Sequence, residues 1–375
     1  MEVHELVARI KADHKSLTRV KEPLSITMFN TGKSTTGVNG QFVFSQVLID
    51  CLLRMESNKR DIDELIARCE TEYRGNNTEL NRLREFQKDY SYDKALSWYT
   101  RDSFFYRTLN KALRCQDIDM MFLYRSCITD IYRQLQRYQS NIPLHVYRSQ
   151  LMTKNELEDL KQSIGEFISV NSFLSTSMKR SIAVFLAGDT TEQTYMERVF
   201  FEIDADPKIA ISQPFADIST LSDFDESEVL FMVGSIFRLN SISCKADQVW
   251  IIRMTLCSGD EHDFKDVLAH MKKQNGSGPT NLRTFGKVLW EMGKLGLAEK
   301  YYNRLLTELS LNDLVISNVY EDLAQITSQK GDFDISMQWR QKSLAVKNQH
   351  QSTGTAQIDN ISNSIGKFAE KFDHY

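Results

Sequence analysis

The chain has 375 residues, 41% hydrophobic and 26% charged, with 46 basic against 50 acidic side chains and a formal net charge of −4. That length suffices for two or three domains with at least one sizeable core, and the near balance of charge excludes a nucleic-acid footprint. Cysteines at 51, 69, 115, 127, 244 and 257 lie far apart and form no CxxC pair, so the expectation is free thiols in a reducing compartment, with neither a metal site nor a disulfide framework.

The first thirty residues are charged and interrupted, with no apolar run of signal-peptide length, and no later run reaches membrane-spanning length, which reads as a soluble, cytoplasmic protein without membrane contact. At 30–37, NTGKSTTG invites comparison with a phosphate-binding loop. That loop needs a glycine five places before Gly32, where this chain has Thr27, so a polar turn accounts for the stretch. From residue 41 to 56, Phe44, Val47, Leu48, Cys51, Leu52 and Met55 recur at helical intervals, and similar patterns continue to about residue 140. Aromatic and long apolar side chains in WYTRDSFFYRTLNKALRCQDIDMMFLYRSCITDIYRQL have helical spacing and read as core. Residues 1–140 are therefore expected to form a helical N-terminal region.

The pattern changes at Pro143. LHVYR, FISVNSFLS, RVFFEID, EVLFMV, SIFRLNSIS and QVWIIRMTL read as short strands, with one helix marked by a capping box of Thr153 and Glu156 ahead of Leu157 and Leu160. Residues 141–258 are thus a mainly β core. A helix and a Gly/Ser/Pro linker fill 259–280. From 281 to 375 the spacing of Gly286, Gly293, Ala298 and Tyr302, echoed by Ala324, Gly331 and Phe333, predicts two tetratricopeptide repeats and a partial third with a period of about 38 residues, departing from the pattern at Ser336 and Arg340. A peptide or protein ligand is expected for such an array. The fold class predicted overall is α+β, with helices, a mixed mainly antiparallel sheet, then α-helical repeats.

DFDESEVLF, at 223–231, runs four carboxylates into an apolar strand. A solvated acidic turn is one reading. The other begins a strand near Glu226, placing Glu226 and Glu228 on one face, where like charges need a compensating partner. Histidines show no paired-ligand spacing and no Gly-x-Ser-x-Gly elbow is present, so metal and hydrolase-triad chemistry find no support. Three strand-associated pieces do combine: Arg148 in LHVYRSQ, Ser175, Thr176 and Ser177 in SFLSTS, and Glu226 with Glu228 in DESEVLF.

In this order and strand context the set resembles the Arg-Ser-Glu class of mono-ADP-ribosyltransferases across about residues 143–256. The resemblance implies that Arg148 binds NAD phosphate and braces the site, that Ser175 supports the catalytic glutamate, that Glu228 is that glutamate, and that Glu226 engages an acceptor arginine. Tyr147, Arg148, Ser149 and Gln150 stand where the family has Tyr-Arg-Gly-Gln; Ser149 departs from the glycine that lets the backbone approach nicotinamide. Ser149, Gln150, Thr176 and Ser177 join Arg148, Ser175 and Glu228 as expected NAD-binding residues. FADISTLSDFD resembles the loop that meets the acceptor protein, with Phe215 and Phe224 as exposed aromatic candidates. The helical region is similar to the segment preceding the transferase in multidomain eukaryotic proteins, rotifer ones among them, that end in tetratricopeptide repeats.

These residues suit the implied chemistry. Cleaving nicotinamide from ribose develops positive charge on the sugar, which a nearby carboxylate stabilises. A guanidinium such as that of Arg148 grips phosphate bidentately. Expected partners are NAD as co-substrate and a protein with an exposed arginine, without a metal. NAD hydrolysis at the same residues, and a non-catalytic interaction module, are the alternatives.

Overall fold

The computed structural model describes residues 24–29, 38–180, 196–209, 213–221, 227–246, 248–257, 265–310 and 315–349. The stretch 30–37 therefore lies outside the described residues. The chain divides into two compact units, Met1–Thr280 and Asn281–Tyr375.

The first described element of this unit is strand β1, Ile26–Phe29, within a region predicted to be helical. Four residues are too few to show a period, and β1 is placed by pairing with β3 at the edge of the sheet. Helices follow: α1 Val38–Leu53, α2 Lys59–Glu72, α3 Asn77–Asp89, α4 Ala95–Thr100, α5 Phe104–Arg114, α6 Ile118–Leu123 and α7 Arg125–Arg137. Asn58 and Asp61 form a capping box that starts α2. The aromatic stripes are core: Phe86, Trp98, Phe104 and Phe105 are buried, with Phe86 edge-on to Trp98 at 5.3 Å. The buried Asp61–Arg125 ion pair is completed by Arg125 donating to the carbonyls of Glu56 and Phe122.

The strands are β2 Leu144–Thr153, β3 Phe167–Val170, β4 Leu174–Ser177, β5 Met196–Ala205, β6 Phe215–Asp217, β7 Glu228–Phe231, β8 Ile236–Cys244 and β9 Val249–Leu256, with α8 Lys154–Lys161 after β2 and α9 Lys265–Gln274 after β9. Thr153 and Glu156 make the predicted capping box at the start of α8. Among the described residues the nine strands form one sheet in the order β1-β3-β8-β9-β5-β2-β4-β7-β6. Every neighbouring pair is antiparallel except β5 with β9. FISVNSFLS, read as one strand, is two: Asn171 turns off to bond the Ser25 carbonyl, so β3 and β4 occupy distant places in the sheet.

Helix α1 locks this sheet from one end to the other. Gln46 donates to Ser169 Oγ at 2.9 Å and to the Gly234 carbonyl at 3.0 Å, and accepts from Gln213 at 2.9 Å. Gly234 has φ +82°, and a Cβ there would lie 2.9 Å from Ile49 Cδ1, so close approach and backbone conformation both select glycine. At the other end of α1, Arg54 donates to the carbonyls of Gly276 and Gly278 at 2.6 and 2.7 Å, and Thr280 Oγ1 donates to the Cys51 carbonyl at 2.6 Å. The Gly/Ser/Pro stretch is thus tied to the first unit. None of the six cysteines forms a disulfide; burial pushes the Cys51 and Cys127 thiols up to about 12 and Cys69 to about 11.

The second unit contains α10 Leu282–Glu291, α11 Leu295–Glu308, α12 Val315–Lys330 and a helix over 333–349. Gly286 faces Tyr302, whose ring would stand 2.9 Å from an added Cβ. Tyr302 is 1% exposed and has no room to yield. Gly286→Ala is therefore expected to destabilise this unit by about 1–2 kcal/mol through overpacking, despite the better helix propensity of alanine, as a thermal melt of the protein would register. Ser336, a departure from the repeat pattern, is buried and donates to the Ala324 carbonyl at 2.7 Å. Phe333 is 67% exposed, and Ser336, Trp339 and Ser343 form the inner face of their helix. The partial third repeat falls on 350–375, outside the described residues.

Candidate active site

Three strands bring the chemistry-bearing residues together. β4 and β7 pair with Ser177 opposite Glu228 and Ser175 opposite Leu230. Alternation sends Leu174, Val229 and Phe231 into the core, leaving Ser175, Ser177 and Glu228 on the other face. Ser175 Oγ donates to Glu228 Oε1 at 2.5 Å, and Glu228 is only 2% exposed. A hydroxyl donating to a carboxylate gives a short, charge-assisted bond that fixes the rotamer of both side chains.

Arg148 arrives from β2, which touches β4 at one paired position, Tyr147 opposite Ser177. Its Nη1 donates to the Ser175 carbonyl at 2.8 Å, while Nε and Nη2 donate to Gln150 Oε1 at 3.2 and 2.9 Å. Gln150 is 1% exposed and shares a strand face with Arg148, so it works as a rigid acceptor for the guanidinium fork. Ser175 consequently holds both charged groups: its carbonyl takes the arginine and its hydroxyl gives to the glutamate.

The other expected residues divide. Ser149 is buried, alternates away from Arg148 and pairs opposite Phe200 on β5. Thr176 is buried with its hydroxyl donating to the Val229 carbonyl at 2.9 Å, on the face opposite Ser175. The half-buried Ser177 accepts from the Lys179 amide at 3.1 Å. Phe215 is not an exposed aromatic: it lies in β6, is fully buried and stacks on Phe231 at 5.0 Å, because its pairing with β7 turns it into the core. Phe224 and Glu226 fall on 222–226, outside the described residues.

Two residues of the stretch read as the acceptor loop, neither singled out there, sit at the entrance to β7. Ser219 Oγ accepts from the Glu228 amide at 3.0 Å and donates to Asp217 Oδ1, which also accepts from the Ser219 amide at 3.0 Å. The local signal was present in Asp-x-Ser, a turn-forming combination in which side chains replace backbone partners. Among the described residues no group of three or more His, Cys, Asp or Glu is placed to hold a metal ion, and no helix is long and apolar enough to cross a membrane.

No protein-family model matches the chain, and no curated protein matches it. Among solved structures it is similar to the Vis toxin, an ADP-ribosyltransferase from Vibrio splendidus, at 18% identity over 57% of this chain and 93% of that one, with a TM-score of 0.37. It is also similar to the C3 exoenzyme of Clostridium limosum, at 17% identity over 54% and 96% with a TM-score of 0.35. A third is the ADP-ribosyltransferase HopU1 of Pseudomonas syringae pv. tomato DC3000, at 15% identity over 57% and 96% with a TM-score of 0.35.

Proposed function

We propose that this chain is an NAD-dependent mono-ADP-ribosyltransferase that joins ADP-ribose to an arginine side chain of a protein and releases nicotinamide. The observation that supports it is the double role of Ser175, which bonds Arg148 through its carbonyl and Glu228 through its hydroxyl. A phosphate-seeking cation and a buried carboxylate are thereby held at fixed separation, as a substrate with a pyrophosphate at one end and a cleavable ribosyl cation at the other requires.

In this reading Arg148 takes an NAD phosphate in the orientation that Gln150 and the Ser175 carbonyl set. The bond from ribose C1′ to the nicotinamide nitrogen breaks, its electron pair leaving with nicotinamide, and the Glu228 carboxylate stabilises the cation left on the sugar. An acceptor guanidinium nitrogen then bonds C1′ and loses a proton. Glu226 receives that guanidinium and helps remove the proton. The second unit binds the protein that carries the acceptor arginine, as an array of tetratricopeptide type; the close fit of Gly286 against Tyr302 supports that assignment.

The direct test incubates the protein with labelled NAD and an arginine-rich acceptor, then measures nicotinamide, label on protein and free ADP-ribose. No nicotinamide release sinks the reading, whereas release with label only in free ADP-ribose makes the enzyme a hydrolase. Glu226→Gln separates the two carboxylates further. Transfer to arginine is expected to fall at least about tenfold more than hydrolysis, since Glu228 still serves the sugar cation. A parallel fall in both products removes the acceptor role of Glu226.

A further inference from the structure

We infer that Ser219 is a positioning residue for NAD cleavage, acting through the backbone of Glu228. The inference rests on the proposed catalytic role of that glutamate. Glu228 is the first residue of β7, paired opposite Ser177 on the β4 side and lying just beyond the regular ladder on the β6 side. Here both of its backbone polar groups are tied back across the loop. Its carbonyl accepts from the Ile218 amide at 2.9 Å, and its amide donates to Ser219 Oγ at 3.0 Å. The regular β6–β7 ladder extends only to Asp217 opposite Val229. Beyond that point a side-chain oxygen supplies the acceptor that a continuing strand would have offered.

Ser219 is itself held. Its hydroxyl hydrogen goes to Asp217 Oδ1 and its amide to the same oxygen, so the lone pairs of Ser219 Oγ face the Glu228 amide. Asp217 is exposed and Ser219 half-buried, which leaves the brace at the neck of the loop and the carboxylate of Glu228 on the site side of β7. Without the brace, the Glu228 amide loses its acceptor, and on the β6 side the bond from the Ile218 amide to its carbonyl remains. The 2.5 Å bond from Ser175 to Glu228 then competes with backbone motion, and a displacement of about 1 Å at a reacting group is enough to cost up to 10²-fold in rate.

The test compares Ser219→Ala, Ser219→Thr and Asp217→Ala with the wild type in steady-state nicotinamide release and in hydrogen exchange of individual amides. Ser219→Ala is expected to lower kcat about tenfold with KM for NAD within about twofold, because phosphate binding through Arg148 is untouched. Ser219→Thr, which keeps the hydroxyl, restores most of the rate. In Ser219→Ala the Glu228 amide exchanges at least about tenfold faster while the Leu230 amide, inside the ladder on both sides, is unchanged. A kcat within about twofold of wild type in Ser219→Ala, or an equal loss in the threonine variant, overturns the inference. So does unchanged exchange at Glu228, a result readable in Asp217→Ala as well, which removes the acceptor that orients Ser219, should the Ser219→Ala variant fail to fold. If the wild type releases no nicotinamide, the transferase reading and the catalytic half of this inference fall together; faster Glu228 exchange then still establishes Ser219 as the holder of that residue.

Discussion

Replacing Glu228 by glutamine is expected to lower nicotinamide release from NAD by about three powers of ten while the protein stays folded. Glutamine has the same shape, and its carbonyl oxygen can accept the hydrogen that Ser175 Oγ donates at 2.5 Å, so the packing of β4 against β7 survives. What is lost, on the proposed role, is a full negative charge facing the sugar. Opposite charges about 4 Å apart attract by about 4 kcal/mol at an effective dielectric near 20, and each 1.36 kcal/mol of barrier is a factor of ten. Burial makes the charge more effective, since Glu228 is 2% exposed and water competes little for it. Removing a buried carboxylate lifts a desolvation cost, so thermal stability should hold or rise slightly. Nicotinamide release within about threefold of wild type, with an unchanged melting temperature, would falsify the catalytic role.

How the sequence encodes this site differs from residue to residue. The contact of Ser175 with Glu228 could be anticipated because each lies in a short strand whose period-two alternation is visible, and a resemblance of motif order put them side by side. The same alternation fails for Phe215. Its strand has three residues, Phe215–Asp217, too few for a period to distinguish a buried aromatic from a loop aromatic. The pairing that buries it, opposite Phe231, is a long-range fact. FISVNSFLS shows a related limit: two strands that are adjacent in sequence pair with different neighbours, and periodicity is blind to partners. The helical region and its aromatic core were visible from spacing because a helix contacts its own neighbours three and four residues away. The brace of Asp217 and Ser219 involves contacts only two and nine residues apart in the chain, yet spacing alone does not say that the amide it holds is that of Glu228.

Arg148→Lys is expected to lower kcat/KM for NAD about 100-fold, most of it through a higher KM, although the charge at the position is kept. The guanidinium of Arg148 bonds two acceptors in different directions at once, Gln150 Oε1 through Nε and Nη2 and the Ser175 carbonyl through Nη1. A lysine has one nitrogen on a flexible stem, and turning it to either acceptor withdraws it from the other. Two costs follow. The first falls on the substrate, because an ammonium meets phosphate as a point charge where a planar fork meets it bidentately. The second falls on the protein, because Gln150, 1% exposed, loses the donors that its side-chain oxygen accepts from, and a buried acceptor left without them costs about 1–3 kcal/mol. The second cost appears as a lower melting temperature in the absence of NAD and the first as a raised KM. Measuring both in one variant therefore apportions the role of the arginine between bracing and binding. A change in kcat/KM of less than about threefold, with the melting temperature unmoved, would show that neither role belongs to Arg148.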